Sequence, residues 1–179
     1  RASITGEIAL EDCFIPFENV LPQTKGLSSA LACLTQARYG IAWGAMGAAM
    51  ACFDIALAYT KERLGFEKPI ASFQLVQKDL VQMFSAIVKS QTFNLTLGRL
   101  KDNDRATYVM VSMAKMNACA EALQIARMAR NLLGANGISL EYHVIRHMNN
   151  LESVFTYEGT DNMHNLIIGR HITGFSAFS

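Results

Sequence analysis

Tyr157-Glu158-Gly159-Thr160 is the segment of this sequence best suited to chemistry. It sets a carboxylate in a turn at the start of a helix. Val154, Phe155 and Tyr157 supply the apolar surround that excludes water from a general base. Read alone, the same residues also make an ordinary helix start, with Glu158 in the first turn and Thr160 as the cap. Arg63, Phe66 and Gln74 gather around Pro69 and offer a cation, an aromatic face and an amide, which suits the pyrophosphate and adenine of a dinucleotide. An Arg near a helix C-terminus also serves the helix dipole. Gly134-Ala135-Asn136-Gly137 could bring backbone close to a phosphate or simply end a helix; it lacks the strand-turn-helix context of a dinucleotide fingerprint. His143 and His147 are four apart and would share a helix face. Neither a third metal ligand nor the Glu of the metalloprotease motif accompanies them, so they read as surface or interface histidines and no metal site is predicted.

These residues need a scaffold, and the periodicity predicts an all-α one. Helices are expected from near Ser28 to about Arg63, from Ser72 as N-cap to about Leu100, and from about Asp104 to Leu133. Shorter ones follow at 141–149 and 161–172. In the first helix Gly40, Gly44, Gly47, Ala48 and Ala51 form a strip of small residues that would let another helix approach. The second shows an apolar face of Phe73, Val76, Leu80, Phe84 and Ile87. In the third a narrow polar stripe through Asn117, Glu121, Gln124, Arg127 and Asn131 predicts burial around most of the circumference, with Gly134 and Gly137 ending it. Three long helices with short connections make an up-down bundle over residues 25–179. Residues 3–10 alternate loosely as a strand would, and with Pro16 and Pro22 they suggest that 1–24 is the end of a β-domain and a linker.

Composition narrows the class. Sixteen Lys and Arg against fifteen Asp and Glu, with no basic run, argue against nucleic-acid binding. Polar and charged residues interrupt the apolar stretches, so no membrane insertion is expected. Half of the 179 residues are hydrophobic and only 17% are charged, which predicts a surface largely covered by partner subunits or further domains. Cys13, Cys33, Cys52 and Cys119 show no metal-ligand spacing and read as reduced core residues. No leader peptide is visible, and the missing initiator Met suggests part of a longer protein.

Taken in order, these segments resemble the acyl-CoA dehydrogenase family. The matching pieces are Arg63-Leu-Gly-Phe66-Glu-Lys-Pro69, Phe73-Gln74, Leu133-Gly134-Ala135-Asn136-Gly137 and Tyr157-Glu158-Gly159-Thr160. Within the family, segments 37–44, 141–147 and 169–174 look most like the glutaryl-CoA branch. The sequence departs from the family pattern at Glu67, where Gly is usual, and at Ala135, in place of the loop's second Gly; an acidic side chain near Arg63 would compete with a pyrophosphate.

The resemblance implies the family's C-terminal helical domain, with FAD as cofactor and Glu158 as the base that takes a thioester α-proton. It implies FAD contacts from Arg63, Phe66, Gln74, Leu133, Gly134, Ala135 and Gly137 to a neighbouring subunit, and from Thr160 and Asn162 within the same one. Thr35 and Arg38 would lie near CoA, and Tyr157 and Gly159 beside the acyl chain. For glutaryl-CoA the product would be crotonyl-CoA and carbon dioxide. A homotetramer, electron-transfer flavoprotein as acceptor, and a mitochondrial-matrix or bacterial cytoplasmic location are further implications. The alternatives are a dehydrogenase of another short or branched acyl-CoA and a non-catalytic helical oligomerisation module.

Overall fold

The computed structural model describes residues 3–177. Three long helices, α1 (Leu27–Glu62), α2 (Gln74–Asp102) and α3 (Tyr108–Leu132), are followed by the shorter α4 (Val144–Thr156) and α5 (Asp161–Thr173). Lys101 bonds Gln36 while Asn94 bonds the Ala42 carbonyl, so α1 and α2 run antiparallel. Asn117 reaches Ser90 at the midpoint of α2, and the short link 103–107 turns α3 back beside it. The bundle is therefore up-down-up, as the periodicity predicted.

The core forms where small residues let helices approach. Ala42, Ala45, Met46, Ala49, Cys52 and Ala56 of α1 face Val111, Ala114, Ala118, Ala122 and Ala126 of α3, all buried. The α1 seam is thus an alanine stripe; of the expected small-residue strip Ala48 packs against it, while the three glycines do not. A Cβ on Gly40, Gly44 or Gly47 would meet nothing within 4 Å. The buried line of α2 is Met83, Ala86, Ile87, Ser90, Asn94 and Leu97; Phe84, expected on it, is 56% exposed and joins Val81, Val88 and Leu95 on an open apolar face.

Several element boundaries differ from the expectations. Ser72 does not cap α2: its hydroxyl donates to the Pro69 carbonyl, and α2 starts after Phe73 without a side-chain cap. Helix α4 runs on to Thr156, because Leu151, Val154 and Phe155 continue the apolar face that packs on the core. Residues 3–10 carry no strand and stand exposed, since a strand needs a neighbour for its backbone groups. The one sheet among the described residues is a two-residue hairpin, β1 (Leu64–Gly65) with β2 (Lys68–Pro69). Its turn residues, Phe66 and Glu67, both have left-handed φ of 52° and 68°.

Helix α1 is also long and apolar enough to cross a membrane, with mean hydropathy 1.6 over 18 residues, contrary to the expected interruptions. Its alanine seam is nonetheless part of the bundle core. Cys52 and Cys119 are buried free thiols, as expected, whereas Cys13 and Cys33 are exposed.

Candidate active site

Glu158 lies between α4 and α5, at φ 58°, followed by Gly159 at φ 97°. This region costs free energy for a residue with a side chain, and positions where the surroundings hold one there gather at functional sites. The holding groups come from three helices. Arg38 of α1 donates from Nε to the Glu158 carbonyl at 2.7 Å. Lys115 of α3 donates from Nζ to the carbonyls of Gly159 at 2.9 Å and Phe155 at 3.2 Å. His164 of α5 lies beneath Gly159, where a Cβ would come within 3.3 Å of its ring and 3.1 Å of Arg38 Nη2. One carboxylate oxygen of Glu158, Oε2, is buried without a hydrogen-bond partner.

Lys115 and His164 are almost fully buried. Desolvation lowers the Lys115 pKa first; the Arg38 charge also lowers it, while Cys119, Asp161 and Glu158 pull the other way. Burial, with the charges of Lys115 and Arg38, pushes His164 down to about 4, so its ring is neutral near pH 7. The Gly159 carbonyl and Asp161 oppose this shift, although His164 Nε2 makes no hydrogen bond there by distance and angle. Its Nδ1 pairs with Ser112 Oγ at 2.8 Å. Burial also raises the Tyr157 phenol.

Lys115, Ser112 and His164 were not singled out from sequence. A signal for Lys115 exists: it lies nearly opposite Asn117 on α3, a charge on the apolar face, where Lys is almost never buried without partners.

The other predicted residues fall into two places. Arg63, with Tyr59, Leu132, Leu133, Gly134, Ala135 and Asn136, lines an open groove of about 590 Å³. Asn136 anchors the loop by donating to the Tyr59 hydroxyl at 3.1 Å. Gly134 ends α3 at a left-handed φ of 59°. Among the described residues the Arg63 guanidinium has no ion pair, and Glu67 does not approach it closely enough to make one. Phe66 and Gln74 line the adjoining depression, which shares Gly65 and Ile70 with the groove. Gly137 is buried behind the loop, where a Cβ would collide with the Arg130 carbonyl; it shapes the groove without lining it. An unpaired guanidinium, an exposed aromatic ring and a glycine-ended loop fit a dinucleotide.

Thr160 caps α5 by accepting from the Met163 N–H, leaving its own O–H free to donate, and borders a shallow depression with Asn162. Thr35 lies one turn before Arg38 and donates to the Leu31 carbonyl. Arg38 and Arg63 are about 37 Å apart along α1, so the Glu158 turn and the groove lie at opposite ends of the bundle. His143 precedes α4 as a left-handed cap, so it does not share a helix face with His147.

An all-helical bundle that presents a carboxylate on a clamped left-handed turn at one end and an open groove with an unpaired guanidinium at the other defines a class, and the comparisons give its family. The family model "Acyl-CoA dehydrogenase, C-terminal domain" matches residues 24–173, and the chain belongs to the acyl-CoA dehydrogenase family. It is 34% identical over 173 residues to the mitochondrial 2-methylacyl-CoA dehydrogenase of Solanum tuberosum, covering 96% of this chain and 42% of that protein. It is similar to a glutaryl-CoA dehydrogenase from Mycobacterium smegmatis, with 50% identity and a TM-score of 0.87 over 89% of this chain and 41% of that one. A glutaryl-CoA dehydrogenase from the same organism in complex with FADH2 gives 46% identity and a TM-score of 0.86, over 88% of this chain and 41% of that one. The chain thus spans less than half the length of these relatives.

Proposed function

We propose that the protein carrying this chain is an FAD-dependent enzyme that oxidises glutaryl-CoA across its α,β bond and decarboxylates it to crotonyl-CoA, with Glu158 as the base. The observation that carries the reading is the Glu158 carboxylate, with one buried, unpartnered oxygen on a left-handed turn held from three helices. An acceptor oxygen without a hydrogen bond is free to take a proton. The higher identity to the mycobacterial glutaryl-CoA dehydrogenases supports the glutaryl substrate.

Glu158 removes the α-proton of the thioester. Bound FAD supplies the acceptor for the β-hydrogen as hydride. The γ-carboxylate of a glutaryl chain then leaves as carbon dioxide, its bonding electrons passing into a dienolate, and protonated Glu158 returns its proton to give crotonyl-CoA. Tyr157 and Gly159 border the acyl chain, while Thr35 and the free N–H groups of Arg38 face CoA.

Thr160 and Asn162 hold the FAD of their own subunit. Arg63, Phe66, Gln74, Leu133, Gly134 and Ala135 hold that of a neighbour, with Gly137 shaping the loop. The separation of the two sets along α1 supports this division and a homotetrameric assembly. Residues 1–24 continue a β-domain, electron-transfer flavoprotein is the acceptor, and the enzyme resides in the mitochondrial matrix or a bacterial cytoplasm.

The potato relative favours a second reading, oxidation of a branched acyl-CoA without decarboxylation. Glutaryl-CoA labelled at its γ-carboxylate separates the two in the full-length protein. Labelled carbon dioxide released with turnover supports the first, and turnover of 2-methylacyl-CoA with no release from glutaryl-CoA establishes the second.

A further inference from the structure

Lys115 is the most unusual residue of the bundle core. Its side chain is 1% exposed on the apolar face of α3, and its Nζ donates to two backbone carbonyls and to no carboxylate. Burying an ammonium without a paired anion is costly, and an apolar residue of similar length would avoid that cost. The two carbonyls it joins are informative. Phe155 belongs to the last turn of α4, where carbonyls lack helical partners, and Gly159 follows the base. Between them the chain leaves the helix and passes through the two left-handed residues Glu158 and Gly159.

We propose that Lys115 is a positioning residue for the base: its ammonium ties the end of α4 to Gly159 and, with Arg38 on the Glu158 carbonyl, fixes the turn that carries the Glu158 carboxylate. This rests on the reading of Glu158 as the base. The two cations grip adjacent carbonyls from different helices, Arg38 from α1 and Lys115 from α3, so the turn cannot rotate about either contact alone. His164, paired with Ser112, closes the space beneath Gly159. Its uncharged ring adds no third positive charge to the cluster. The groups facing Lys115 are thus Arg38 from α1, Cys119 from its own helix, Glu158 from the turn, and Asp161 and His164 from α5.

A shift of about 1 Å in a reacting group costs roughly 100-fold in rate, and that sets the expected size of the effect. The test uses the full-length flavoprotein with Lys115→Met, Lys115→Ala and, in parallel, Glu158→Gln. Lys115→Met is expected to take up FAD stoichiometrically. It should bind a non-oxidisable acyl-CoA thioether within about threefold of the parent, yet reduce its flavin with acyl-CoA about 100-fold more slowly. In Lys115→Ala, added ethylammonium should restore part of the rate and tetramethylammonium should not, because only the former carries N–H donors.

Parent-like flavin reduction in Lys115→Met would overturn the proposal. So would its failure to fold or to hold FAD, which would make Lys115 a determinant of the fold. A rate loss accompanied by an equal loss of thioether affinity, or an Ala variant that no ammonium rescues, would also count against it. Glu158→Gln isolates the underlying reading: if that variant still reduces its flavin, the base assignment falls whatever Lys115 does.

Discussion

Glu158, Phe66 and Glu67 are among seven described non-glycine residues with a left-handed backbone, and these three are constrained differently. Three helices hold Glu158, whereas Phe66 and Glu67 sit at an exposed hairpin turn. Turns of this kind favour Gly or Asn, so relaxing Glu67 should help: Glu67→Gly is expected to raise stability by roughly 0.5–1 kcal/mol, read from urea unfolding. Gly159 is the opposite case. At φ 97° with the Arg38 guanidinium 3.1 Å from a notional Cβ, Gly159→Ala is expected to strain the turn and displace the Glu158 carboxylate. Flavin reduction in the full-length protein should fall at least about tenfold, with FAD retained; a parent-like rate would show that the turn tolerates displacement. At this scale the residues around Glu158 left an ordinary helix start open, and it was the ordered family segments that singled out Glu158 and the groove residues. It did not reveal the clamp, because Arg38 and Lys115 are far from residue 158 in sequence and their backbone partners leave no mark on residue type.

Helices were easier to read than their ends. The period of α1, α2 and α3 follows from long runs in which burial alternates with exposure every three to four residues. The end of α4 was obscured by Asn149 and Asn150, polar residues that face outward or lie half-buried without breaking the helix. The hairpin at 64–69 was invisible because Phe66-Glu67 is not among the pairs that signal such a turn. The strip of Gly40, Gly44, Gly47, Ala48 and Ala51 was met only at Ala48, which packs against the core, because small residues permit close approach but do not say which partner approaches. Gly137 is the glycine an element cannot lose. Gly137→Ala drives a Cβ into the Arg130 carbonyl at the end of α3, which should destabilise the protein by roughly 3 kcal/mol and weaken FAD retention through the loop at 134–136. Unchanged thermal unfolding would show that the loop can yield.

For the molecule as a whole, the low charge content pointed to a surface that needs covering. The described residues leave Val81, Phe84, Val88 and Leu95 of α2 on an open apolar face, whose position composition could not give. Stability should also carry the mark of the buried histidine. His164 has a folded-state pKa of about 4 against an ordinary 6.5, so between these values the unfolded chain binds a proton that the folded one excludes. Stability contributed by the neutral ring is complete above about pH 6.5 and is lost as pH falls toward 4, by up to about 3 kcal/mol. In His164→Gln that part of the slope should vanish from unfolding free energies measured between pH 4 and 7.

The central claim, that Glu158 is the base, is tested most directly by anaerobic mixing of the full-length flavoprotein with glutaryl-CoA. The parent should bleach its flavin, and Glu158→Gln should bind the same FAD and the same acyl-CoA but bleach slower by a factor of about 100–10,000. Bleaching at the parent's rate in the variant would contradict the account.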